Sequence, residues 1–172
     1  VSAVILDAME SATRRAALMR CCGSTAWVDG MIARHPLRTD ARMHEVADEV
    51  WATMGREDIL EAFSHHPRIG TSLEALRERF GETADWSSGE QASVADAQAS
   101  VLEELRDGNV AYEARFGFIF IVCATGKSAA QMLALLRGRL NNEPGAELAV
   151  AAGEQGKIMH LRLDKLAESP GG

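Results

Sequence analysis

Apolar residues recur at three- and four-residue intervals along most of this chain, the period of helices that bury one face. In 42–54, RMHEVADEVWATM, one stripe carries Met43, Val46, Val50 and Met54. REDILEAFSHH predicts a second, shorter helix stopped by Pro67, because a proline pushes the residue before it out of helical geometry. TSLEALRERF opens with Thr71 and Glu74 at capping-box spacing, and Gly81 ends it. A long helical stretch covers 90–116, with Val94, Val101 and Leu105 on it and Gly108 as a point of loosening. Met132, Leu136 and Leu140 line up across 128–140, and a last helix starts near Pro144 and runs through AELAVAAGEQGKIMHLRLDKLA.

One run breaks the pattern. FGFIFIVCATGKSA, 116–129, holds strand-forming residues over 118–124 and then Gly-Lys-Ser. A phosphate-binding loop needs glycine, four residues, then Gly-Lys-Ser/Thr, so that backbone N–H groups can wrap the phosphates. The position it requires is Ile121. A nucleotide-binding sheet also needs several strands alternating with helices, and no second strand signal exists. The expectation is therefore an all-α, single-domain helical bundle over 1–172 with no sheet, in which 118–124 is a buried connection or an irregular helix. Three readings of the following residues stay open. Thr125 or Ser128 caps the next helix; Lys127 is a solvated charge; or backbone N–H groups between Val122 and Gly126 face a cleft and bind a polar ligand, with Ala124 and Gly126 permitting close approach.

Composition narrows the function. Of 172 residues 47% are hydrophobic and 25% charged, with net charge -7, which disfavours a duplex nucleic-acid binder. No apolar run approaches the ~20 residues of a membrane helix. The N-terminal stretch carries acidic residues where a signal peptide would carry basic ones, and KLAESPGG is no peroxisomal or reticulum address. Cys21, Cys22 and Cys123 have neither disulfide nor zinc spacing. A cytoplasmic protein is expected.

Candidate chemistry sits in four segments. In FSHHPRIGTS, His66 precedes Pro67 at a helix end, where an imidazole titrating near neutrality can be held over a pocket; the plainer reading makes His65 and His66 helix-end residues that favour the dipole. In DWSSGEQASV, Ser87 with Glu90, or Ser88 with Gln91, makes a capping box, and the same polar groups suit an adjoining pocket. In KIMHLRL, Arg162 shares a helix face with Glu154 and Ile158 and is either an intrahelical ion-pair partner or a guanidinium that grips a carboxylate. Arg139 is a second candidate for that grip. The five histidines make no HxxxH or HExxH pair, so a metal site is not expected.

Taken in order, HHPRIG, WSSGEQ, FGFIFIVCATGKSA and EQGKIMHLRL resemble the 2-oxo-4-hydroxy-4-carboxy-5-ureidoimidazoline (OHCU) decarboxylase family, and CCGSTAWVDGM fits that family's opening helices. The resemblance covers nearly the whole chain. It implies an all-α, dimeric carboxy-lyase that uses no metal or organic cofactor and converts OHCU to (S)-allantoin late in urate degradation. It places the catalytic histidine at His66, with Glu90 beside it in function. It places substrate contacts at Pro67, Ser87 or Ser88, Gly89, Glu90, Gln91, the backbone of Val122, Cys123, Ala124, Thr125 and Gly126, and Arg162. The implied partners are the small-molecule substrate and a second copy of the chain, with no nucleic acid and no membrane. Two rival readings are another cofactor-independent lyase or hydrolase of purine breakdown, and a non-catalytic helical binding protein.

Overall fold

A computed structural model describes residues 1–68, 70, 72–80 and 88–168, with 88–96 described by their backbone. The described chain is all-α. Its helices are α1 (Ser2–Ala8), α2 (Ser11–Cys21), α3 (Thr25–Ala33), α4 (Asp40–Trp51), α5 (Arg56–Ser64), α6 (Leu73–Phe80), α7 (Ser88–Phe116), α8 (Ala129–Arg139) and α9 (Pro144–Asp164), the last running into a 3-10 turn at Lys165–Ala167. No described helix is long and apolar enough to cross a membrane. The chain divides into two compact units, Val1–His66 with Ala151–Gly172, and Pro67–Val150.

In the first unit, α3 and α4 start at hydroxyl caps: Ser24 accepts the N–H of Trp27 and Thr39 that of Arg42. The stripe predicted on α4 is buried at Met43, Val46 and Val50, while Met54 lies past the helix end and packs on the core from there. Gly30 permits the close approach of α3 to α4, since a Cβ there would stand 2.5 Å from Val50 Cγ1. Trp27 is fully buried and its indole N–H donates to the carbonyl of Ala47 at 3.2 Å. Glu61 of α5 accepts both the N–H and the hydroxyl of Thr25, at 2.8 and 2.7 Å, which ties α5 to the start of α3. Four side chains join α4 to α9. His44 and His160 face each other Nδ1 to Nδ1 at 2.6 Å, a separation that needs a hydrogen between them; His44 Nε2 meets Asp164 at 2.7 Å and His160 Nε2 meets Asp48 at 2.6 Å.

The second unit is organised by a buried charge pair. Arg139, at the end of α8, donates through Nε to Glu147 at 2.6 Å and through Nη1 to the carbonyl of Ile121 at 2.6 Å. Glu147 also accepts from the Tyr112 hydroxyl and, at 2.9 Å, from Asn142. Tyr112, Phe116, Phe118 and Phe120 pack around this pair, and the Arg139 guanidinium lies 4.6 Å from the Phe120 ring centre. The β-prone run is thus a buried connection, with Phe118, Phe120, Ile121 and Val122 inside and no helix or strand over 118–124.

The structure bears on local expectations at four points. α6 begins at Leu73 with Ser72 Oγ accepting the N–H of Ala75 at 3.4 Å; Thr71 and Gly81 lie outside the described residues. Gly108 does not loosen α7, which is continuous there. It makes room for α8, because a Cβ would meet Leu136 Cδ2 at 2.5 Å. Ser128, not Thr125, caps α8, in a reciprocal box with Gln131. Lys127 is not a solvated charge: its ammonium donates to the carbonyl of Cys123 at 2.7 Å.

Candidate active site

α5 ends at Ser64 because Pro67 follows so closely. His65 caps it in near-helical geometry, and His66 still donates its N–H to the carbonyl of Phe63 at 3.1 Å. The chain therefore leaves the helix with both imidazoles on its last turn. His65, His66, Met19, Arg20, Gly23, Ala62 and Arg162 line a cleft of about 420 Å³ in the first unit. Gly23 is needed here, since a Cβ would sit 2.6–2.7 Å from the His65 ring. Arg162 reaches the cleft from α9 and donates to the carbonyl of Arg20, one of the end carbonyls α2 cannot satisfy itself.

His66 is half-buried. Burial holds its pKa below the ordinary 6.5, and the positive charges of Arg162 and His65 press the same way, against the opposing bond to Gln155. That bond joins the ring Nε2 to the side-chain oxygen of Gln155, a residue with no solvent exposure. Sequence reasoning missed Gln155, although a signal existed. Ala151, Gln155, Met159 and Leu163 are one buried row at four-residue spacing, and a glutamine inside an apolar row needs a partner. Gln155 and Arg162 also stand seven residues, about two turns, apart on one helix.

The structure thus brings His66 and Arg162 to one cleft. The ion pair envisaged between Glu154 and Arg162 is absent, as Glu154 pairs with Lys157 at 2.7 Å. Arg139 is committed to Glu147 and Ile121, which leaves Arg162 as the better-placed of the two arginines for an anionic ligand. Pro67 is exposed at the start of the second unit. In that unit Val122 is buried, Cys123 and Ala124 half-buried, and Thr125 and Gly126 exposed in a turn where Gly126 has φ +74°. Ser87 lies outside the described residues. Ser88, Gly89, Glu90 and Gln91 form the first turn of α7, and their side chains lie outside the description. Among the described residues no three His, Cys, Asp or Glu side chains converge on a point that would hold a metal ion.

Known proteins carry the same arrangement of sequence. The uric acid degradation bifunctional protein TTL of Arabidopsis thaliana is 40% identical over 147 residues, 85% of this chain and 45% of that protein. The 2-oxo-4-hydroxy-4-carboxy-5-ureidoimidazoline decarboxylase of Xenopus laevis is 34% identical over 63% of this chain and 59% of its own. The chain thus spans about half the length of these curated relatives. A crystal structure of an OHCU decarboxylase in the presence of (S)-allantoin is 37% identical and superposes with a TM-score of 0.69, covering 88% of this chain and 96% of the other. That of an (S)-allantoin synthase, 19% identical with a TM-score of 0.70 over 96% of this chain and 54% of the other, shares the fold. Residues 7–164 match the sequence profile of OHCU decarboxylase, and the chain belongs to that family.

Proposed function

We propose that this chain decarboxylates 2-oxo-4-hydroxy-4-carboxy-5-ureidoimidazoline to (S)-allantoin in urate degradation, with His66 delivering the proton that sets the product's hand. The observation that carries this reading is the half-buried His66 imidazole at the end of α5, sharing a cleft with Arg162 in a chain of this family.

The substrate's name dictates the chemistry. Ring carbon C4 bears both hydroxyl and carboxyl and is tetrahedral, and C2 is a carbonyl, so the one double bond of the imidazoline joins C5 to nitrogen. Breaking the bond from C4 to the carboxylate releases carbon dioxide. Its electron pair forms C4=C5, and the C5=N pair moves to nitrogen, which takes up one proton. The enol then loses its hydroxyl proton as C5 gains one, so that overall one proton replaces carbon dioxide. The neighbouring C=N is the electron sink. The protein has to align the scissile bond with the π system, stabilise the charge that develops, and protonate C5 on one face.

His66 serves the proton step. Arg162 binds anionic oxygen for orientation, and not so tightly on the departing carboxylate that it stabilises the ground state. Glu90 works with His66 and binds N–H groups of the substrate. Pro67, Ser87 or Ser88, Gly89, Gln91 and the main chain of Val122–Gly126 read the remaining polar edges. The 118–124 run supports its share of this assignment, since no helical ladder takes up its N–H groups. The match over 7–164 supports treating 1–172 as one catalytic domain, and the three free thiols suit a cytoplasmic setting. A homodimer completes the reading.

The test is freshly generated OHCU with product chirality followed by circular dichroism. The wild-type chain yields (S)-allantoin, and His66→Asn yields product of mixed hand at the spontaneous rate while keeping its helical spectrum. An (S)-selective His66→Asn variant would remove His66 from the mechanism, and a wild type that leaves the spontaneous rate unchanged would remove the activity.

A further inference from the structure

We propose that Gln155 is a positioning residue that fixes the proton of the neutral His66 ring on Nε2 and so leaves Nδ1 as the nitrogen that handles the substrate's proton. The inference rests on the function proposed above. An amide oxygen only accepts hydrogen bonds, so a ring nitrogen bonded to Gln155 Oε1 must carry its hydrogen. Gln155 is fully buried in the apolar row of α9, held there with its own amide nitrogen unpartnered among the described groups. A leucine would fill that position without an orphaned donor. The glutamine is kept at a cost that its bond to His66 accounts for.

The assignment has a chemical consequence. Nδ1, bare in this tautomer, accepts the C4 hydroxyl proton of the enol and passes it to C5. The proton moves from oxygen to nitrogen to carbon, and the imidazole ends neutral, as it began. A ring carrying its proton on Nδ1 could not accept it. The charged and titratable groups that line the cleft with His66 are His65 at the end of α5, Arg20 on α2 and Arg162 on α9, and Glu61 on α5 acts on His65. Burial, with the Arg162 guanidinium pressing the same way, keeps His66 uncharged at neutral pH.

The experiment uses the full chain and two readouts, nitrogen-15 NMR of the ligand-free His66 ring and steady-state kinetics on OHCU. Wild type shows the Nε2-protonated tautomer. Gln155→Leu shows both tautomers, with kcat lowered roughly ten- to hundredfold, the loss typical of removing an orienting partner, and KM within about twofold. Gln155→Glu keeps the Nε2 proton and moves the titration of His66 to higher pH. A wild-type ring protonated on Nδ1, or a Gln155→Leu ring still held in one tautomer at unchanged kcat, overturns the proposal. Should Gln155→Leu fail to fold, Gln155→Glu decides, and a wild-type titration in that variant overturns it. If the wild type does not act on OHCU, the proposed function fails and the NMR readout still decides whether Gln155 sets the tautomer.

Discussion

His66 is a histidine held neutral by its surroundings, and that has a measurable consequence for stability. Its folded pKa lies below the ordinary 6.5, chiefly through burial. Between the folded value and 6.5 the unfolded chain binds a proton that the folded chain refuses, so stability falls as pH drops through that window. Tm measured by calorimetry from neutral to mildly acidic pH should therefore decline more steeply for wild type than for His66→Asn. Parallel curves would mean that the ring protonates as freely in the fold as in the unfolded chain. The adjacent thiols answer to the same physics. Burial pushes Cys21 and Cys22 up to about 12, so neither is a thiolate at neutral pH and both serve as core residues.

At the scale of the element, α9 shows how one helix serves two purposes. Its buried row carries Glu147, Ala151, Gln155, Met159 and Leu163, apolar except where a polar residue has work to do. Glu147 neutralises Arg139, whose other arm holds the carbonyl of Ile121 in the buried connection. Glu147→Leu leaves that guanidinium buried without its carboxylate and should lower unfolding free energy by about 3–5 kcal/mol. Arg139→Met combined with Glu147→Leu should cost less than the sum of the two single changes, as read by urea titration, because the double variant leaves no orphaned charge. Strict additivity would show that the pair does not interact. The α7–α8 contact depends on Gly108 in a similar local way, through space that the helical period alone did not reveal.

At the scale of the whole molecule, the proposed homodimer predicts a mass near twice 18.6 kDa by light scattering at micromolar concentration, and a monomer mass would refute it. Most of the helices were legible in the order of residues. The i, i+3, i+4 stripes on α4 and α8 have a local cause, the 3.6-residue turn, and proline punctuation at Pro67 and Pro144 has another. The all-α class and the place of His66 at a helix end followed from these short-range rules. Local rules stopped where partners are remote. The run of strand formers is a buried connection whose Ile121 carbonyl finds its donor in Arg139, 18 residues away, itself paired with Glu147. That His66 meets Gln155, 89 residues along the chain, and shares a cleft with Arg162 depends on the packing of α5, α2 and α9. Periodicity records which face of a helix avoids water, whereas the partner a buried polar group finds is chosen when separate faces close together, and only coordinates display that choice.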